Sequence, residues 1–236
     1  MVDSFEISIP QTLRDIKVNQ WQKYVDVYRK NKDSVENDFL DKKLISIFCD
    51  VELSDVNKID FHLFSDVVTH LNLIIDSEPD LVHRFKLEGT DGVVVEFGLI
   101  PNFDKMSYGE YIDLEKYLFD DNELHRAMAV LYRPVKFKSK DKYLIHDYKG
   151  TEFMAEVMKD APLDAALSAR VFFYRLAKKL GNYTMAYTLK ELHQKELDKG
   201  GKHSERNGEI IKQYSLLLEK MLEESEKLPV YPYTNV

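Results

Sequence analysis

The chain has 236 residues and a formal net charge of −8, and it is 44% hydrophobic, 31% charged and 12% aromatic. That length suits one large domain or two small ones, long enough to bury a proper core. The acidic balance argues against a surface that grips nucleic acid, and the single cysteine, Cys49, excludes an intramolecular disulfide.

The N-terminus carries neither the basic lead nor the apolar run of a signal peptide. No apolar stretch approaches the ~20 residues that cross a bilayer. The expectation is a soluble protein made in a cytoplasm. Cys49, next to Phe48, is expected to be a small core residue.

Taken in order, Phe5, Glu6, Ile7, Ser8 and Ile9 alternate apolar and polar up to Pro10, which predicts a short strand or an extended arm. Helical spacing follows over Leu13–Arg29, with Trp21, Tyr24, Val25 and Tyr28 in one stripe. A second helix is predicted over Ser34–Phe48, a short turn from Ser54, and a third helix over Phe61–Ile75. Its His62 and His70 are expected to be solvated or capped. These helices predict an N-terminal bundle.

At Pro79 the period changes. His83–Leu87 and Val93–Ile100 flank Gly89-Thr90-Asp91-Gly92, a glycine-bracketed turn that favours a hairpin. Gly98 is expected to mark a bulge. A second hairpin is predicted from Val135–Lys138 and Tyr143–Tyr148. Between the hairpins, Ser107 and Glu110 have capping-box spacing. Asp120, Asp121 and Asn122 mark a second helix start, where acids favour the helix dipole. Leu124, Met128 and Leu131 line the helix that follows, and Pro134 is expected to end it.

Beyond Thr151 the chain is predicted helical again: a short helix broken at Pro162, then Ala161–Leu180, Tyr183–Leu197 and Ile210–Leu228. The small residues Ala165, Ala166, Ser168 and Ala169 permit close helix approach or simply raise helix propensity. The fold class is therefore α+β and predominantly α-helical, a helical bundle with a small antiparallel β-hairpin region in the middle. It is expected to be one domain over 1–236 with extended terminal arms and a sub-boundary near 77–80.

The chain holds no GxGxxG, Walker or GxSxG sequence, and Gly200-Gly201 is a helix break. Glu123/His125 and Glu191/His193 are two apart, so on a helix they face different directions. No catalytic, cofactor-binding or metal-binding residues are assigned, and no cofactor is expected. Lys136, Lys138, Lys140 and Lys142 alternate along the second hairpin and predict a positive, solvated stripe. The tail Leu228–Val236 has two prolines, two tyrosines and no charged side chain, which suits either a tail folded back on its own domain or an arm laid on a neighbouring subunit.

The stretch LIPNFDKMSYGEYIDLEKYLFDDNELHRAMAVLYRPV (Leu99–Val135) and DAALSARVFFYRLAKKL (Asp164–Leu180) resemble a family of tailed-bacteriophage virion proteins found among phages of Bacteroidetes hosts, including crAss-like phages. About half of the chain carries the resemblance. It implies a non-enzymatic tail or neck protein, a ring or portal adaptor. Such a subunit forms a homo-oligomeric ring around the DNA channel and contacts portal and other neck proteins. Genomic DNA would pass without sequence-specific binding, and no membrane is involved. Phe5, Ile7, Ile9, Val230, Tyr231 and Tyr233 are the expected subunit contacts. The alternative is a tail assembly chaperone absent from the mature virion. A third reading, an enzyme, would require a deep pocket with shifted carboxylates or histidines.

Overall fold

The computed structural model describes residues 7–32, 37–89, 91–101, 106–140 and 142–175. The chain divides into two compact units, Met1–Arg170 and Val171–Val236, and residues 77–80 lie inside the first. Of the second unit only residues 171–175 are described; they are helical, with Phe172 and Phe173 edge to face. The helices expected over Tyr183–Leu197 and Ile210–Leu228, and the tail, lie outside the described residues.

The first unit is α+β and mostly helical. Helices α1 (Val18–Asn31), α2 (Asn37–Phe48), α3 (Leu53–Val56) and α4 (Phe61–Ile75) come first. Strands β1 (Arg84–Glu88) and β2 (Val94–Leu99), helices α5 (Tyr108–Tyr117) and α6 (Leu124–Leu131), strands β3 (Tyr132–Ser139) and β4 (Lys142–Ile145), and helix α7 (Glu152–Met158) follow. Residues 163–170, here α8, are helical at the end of the unit.

The first helix starts later than its periodicity suggests. Leu13–Asp15 is a separate 3₁₀ turn, and α1 begins at Val18. The interruption is made by distant chain: Leu163 N donates to Ile16 O, Val18 N donates to Ala161 O, and Lys17 bridges Pro162. Helix α1 then buries Trp21, Tyr24 and Val25, and the Tyr24 ring lies 5.2 Å from that of Phe48 on α2. At the other end of the bundle, Asp60 caps α4 by accepting from His62 N and Leu63 N. His70 Nε2 lies 3.0 Å from Pro10 O. Residues 7–9 belong to no strand; Ile7 and Ile9 are half-buried.

The two hairpins join into one antiparallel sheet of order β1-β2-β3-β4. Gly92, at φ +75°, provides the left-handed turn residue of the first hairpin, and Gly92 N donates to Gly89 O. Gly98 marks no bulge. It pairs regularly with Arg84 and Arg133, and its missing side chain makes room for Tyr143, whose ring would stand 2.5 Å from an added Cβ. The irregularity lies instead between Val135 and Phe137.

Pro134 differs from expectation too. Helix α6 ends at Leu131, and Pro134 sits inside β3 opposite Phe97. Ile100 N donates to Leu131 O, which puts the β2-facing groups of this strand at its odd residues. The nitrogen of Pro134 therefore faces away from β2, and the missing N–H breaks no bond on that side.

The core lies where α6 is threaded between the other layers. Seven of its eight residues are buried, among them Leu124, Met128 and Leu131. A helix apolar nearly all round needs neighbours on every side, and α1, α5 and α7 pack on it. Truncating any of these three side chains to alanine costs about 2–5 kcal/mol. Ala165, Ala166 and Ala169 are fully buried on α8, so the small residues there serve close packing. Tyr132 Oη donates to Val82 O and Ala165 O, tying β3 to α8.

Candidate functional site

Two charged clusters lie beneath α5 and α6, and an apolar face lies above them. The first cluster centres on Asp121. A carboxylate next to a helix start suggests a cap, yet the cap is its neighbour: Asp120 accepts from Asn122 N at 2.9 Å. Asp121 is wholly buried. Its Oδ2 lies 2.5 Å from Arg29 Nη2 and its Oδ1 2.7 Å from Arg170 Nη1, with Trp21 Nε1 at 3.4 Å. A buried carboxylate is tolerable only when paired and hydrogen-bonded, and both of its oxygens are taken up by guanidinium groups. The result is a clamp joining α1, the start of α6 and α8.

Beside it, the Gln22 amide reaches Asp121 O and Asn122 O at 2.7 Å and His125 Nδ1 at 3.0 Å. Burial holds the His125 pKa below its ordinary 6.5, and Lys159 and Arg126 push it the same way, against Glu123 and Glu156.

The second cluster fixes α5. Glu110 Oε2 accepts from Ser107 N at 2.6 Å, completing the capping box read from the sequence. Its other oxygen meets Arg133 Nη2 of β3 at 2.7 Å, with both side chains nearly buried. The Arg133 guanidinium lies over the Tyr148 ring, and Tyr148 Oη donates to the Asp113 carboxylate. Burial and that bond push the Tyr148 pKa up, the opposite of an activated phenol. Likewise, burial pushes the Cys49 thiol up to about 11, far from the thiolate character of a reactive cysteine.

These anchors hold the inner face of α5, where Glu110, Leu114 and Tyr117 are buried. The outer face carries apolar side chains too, with Glu115 among them. Tyr108 is 80% exposed, Tyr111 55% and Ile112 39%; their i, i+3, i+4 spacing puts them on one side of the helix. Phe119, just past the helix, is also exposed. A rigid helix presenting clustered aromatic rings to solvent is a surface suited to a protein partner.

Phe137 and Leu144, direct cross-strand partners near the β3–β4 turn, form a smaller apolar spot. The expected lysine stripe on that hairpin is not continuous. The bulge between Val135 and Phe137 breaks the alternation, Lys140 sits in the turn at φ +53°, and Lys138 is paired with Glu96.

Among the described residues, no group of three or more His, Cys, Asp and Glu side chains is placed to hold a metal ion, and no helix is long and apolar enough to cross a membrane. Of the expected subunit contacts, Ile7 and Ile9 lie near Pro10, which is buried. Phe5, Val230, Tyr231 and Tyr233 lie outside the described residues. Sequence reading missed the outer face of α5, although Tyr108 and Ile112 carry the signal: apolar residues four apart on the side of the helix away from Tyr117, with Tyr111 at its margin.

Comparison with protein-family models, characterised proteins and solved structures finds no match to the chain.

Proposed function

We propose that the protein is a non-enzymatic structural component of a bacteriophage tail or neck, a ring or portal-adaptor subunit that assembles with copies of itself around the DNA channel. The observation that carries this reading is the outer face of α5, three apolar side chains on a helix anchored from beneath by Glu110–Arg133 and Tyr148–Asp113. A ring subunit needs a rigid body with heterologous contact faces. The segment Leu99–Val135, which carries the resemblance to tailed-phage virion proteins, spans this helix, α6 and the start of β3.

In such an assembly the acidic chain faces DNA without holding it, since a net charge of −8 per copy repels phosphate. Quantitative mass spectrometry of purified phage particles tests the role. Several copies per particle, in fixed ratio to the portal, are expected. Presence in infected cells together with absence from particles would instead identify an assembly factor.

A further inference from the structure

The sheet has an open edge, and that edge lines a groove. Strand β1 is outermost and pairs only with β2 among the described residues. Leu99 N donates to His83 O and Gly89 N to Val93 O, so the odd-numbered residues turn their backbone groups toward β2. By the alternation of an extended strand, Arg84, Lys86 and Glu88 turn theirs the other way. This leaves donor and acceptor pairs about 6.8 Å apart along the edge, the spacing of an unpaired ladder. A groove of about 700 Å³ runs along residues 83–87, with the Arg14–Lys17 segment and Asp160–Pro162 on its other side.

Four cations, Arg14, Lys17, Arg84 and Lys86, line the groove against three acids, Asp15, Glu96 and Asp160. Glu96 lies opposite the centre of β1; two cations pair with it and a third faces it in register. Arg84 Nη1 lies at 3.2 Å, Lys138 Nζ at 3.1 Å, and Lys86 stands opposite it in register. On the far side Lys17 is paired with Asp160 and Arg14 with Asp164, while the Asp15 carboxylate accepts from Gln11 N and Thr12 N. At the centre of β1, Arg84 and Lys138 share the one carboxylate of Glu96, which leaves Lys86 as the surplus cation on the open edge; Glu88 at the turn end and Asp15 across the groove are the acids that flank it.

We propose that this edge takes an extended acidic peptide from a partner protein as a fifth, added strand, its backbone bonded to Arg84 and Lys86 and its alternate carboxylates set against the Arg84 and Lys86 side chains. Main-chain bonds supply affinity in this mode, and the flanking side chains supply the choice of sequence. The alternating donor and acceptor groups of the edge suit a peptide; a nucleic-acid strand offers phosphate acceptors but no matching donors. The inference stands apart from ring formation and holds for any partner that presents such a segment.

The test uses the full chain and a fluorescein-labelled peptide of alternating valine and glutamate, with a valine–lysine peptide and a single-stranded oligonucleotide as competitors, read by fluorescence anisotropy. The decisive variant is Lys86→Pro. Its ring removes only the outward N–H, because the amide of residue 86 does not serve β2, so the hairpin keeps its ladder. Circular dichroism and the melting temperature confirm folding, and Lys86→Thr provides a second variant that keeps the N–H.

The acidic peptide is expected to bind, the lysine peptide not to compete, and Lys86→Pro to weaken binding at least tenfold, well beyond Lys86→Thr. Equal loss in both variants would reduce the site to charge attraction and overturn strand addition. So would a failure of the acidic peptide to bind, or preferential binding of the oligonucleotide.

Discussion

Asp121 and Arg170 meet at 2.7 Å with their side chains 0% and 6% exposed, and Arg29 closes on the other carboxylate oxygen. One acid thus holds two arginines that lie far away in sequence. Replacing it with asparagine removes the charge that Arg29 and Arg170 both meet. Breaking a buried pair from one side costs about 3–5 kcal/mol. Losing the neighbouring cap, by Asp120→Ala, costs about 1 kcal/mol. Urea unfolding of the two variants is expected to rank them in that order.

Gly98 gives a second prediction. Gly98→Ala places a methyl 2.5 Å from Tyr143 Cε2, on a ring held by its hydroxyl to Leu99 O at 2.8 Å. Overpacking of this kind costs about 1–3 kcal/mol. Truncating the ring as well, in Gly98→Ala/Tyr143→Ala, is expected to cost less than the sum of the single changes. A double-mutant cycle by thermal or urea unfolding measures that difference.

His125 makes stability depend on pH. Its folded pKa lies below the ordinary 6.5, so on acidification the unfolded chain takes up the proton first. The contribution is whole above that value and is lost as pH falls toward the folded pKa. Urea midpoints measured from about pH 7 down to about pH 5 are expected to fall in the wild type and to fall less steeply in His125→Gln. The groups facing the ring, Lys159, Glu123, Arg126 and Glu156, are present in both proteins, so the difference between them reports the imidazole.

How much of this was legible in the sequence depends on the reach of each interaction. The Ser107/Glu110 capping box, the Gly89–Gly92 turn and the core positions Leu124, Met128 and Leu131 follow from local spacing, and the structure has all of them. The register Phe97↔Pro134, which fuses two hairpins into one sheet, has no local signature. The same is true of Asp121: beside a helix start, an acid that caps and an acid that clamps distant arginines look alike. Gly98 suggested a bulge because the residue it accommodates, Tyr143, lies on another strand. The late start of α1 arises from bonds to Ala161 and Leu163, which helical periodicity near Trp21 cannot report.

The outer face of α5 separates stability from assembly. Tyr108→Glu and Tyr111→Glu change exposed side chains and are expected to alter unfolding free energy by less than about 0.5 kcal/mol. Buried between copies, the same two charges would prevent association. Analytical ultracentrifugation at matched concentrations should show the substituted chain shifted toward monomer, with unchanged circular dichroism.

The measurement that reaches the central claim most directly is a reconstruction of the assembled phage particle by electron microscopy, with density fitted by residues 7–170. The account predicts a closed ring of identical subunits in the tail or neck, with Tyr108, Tyr111 and Ile112 covered by the adjacent copy. A particle without this chain, or a ring in which the outer face of α5 stands free in solvent, would contradict it.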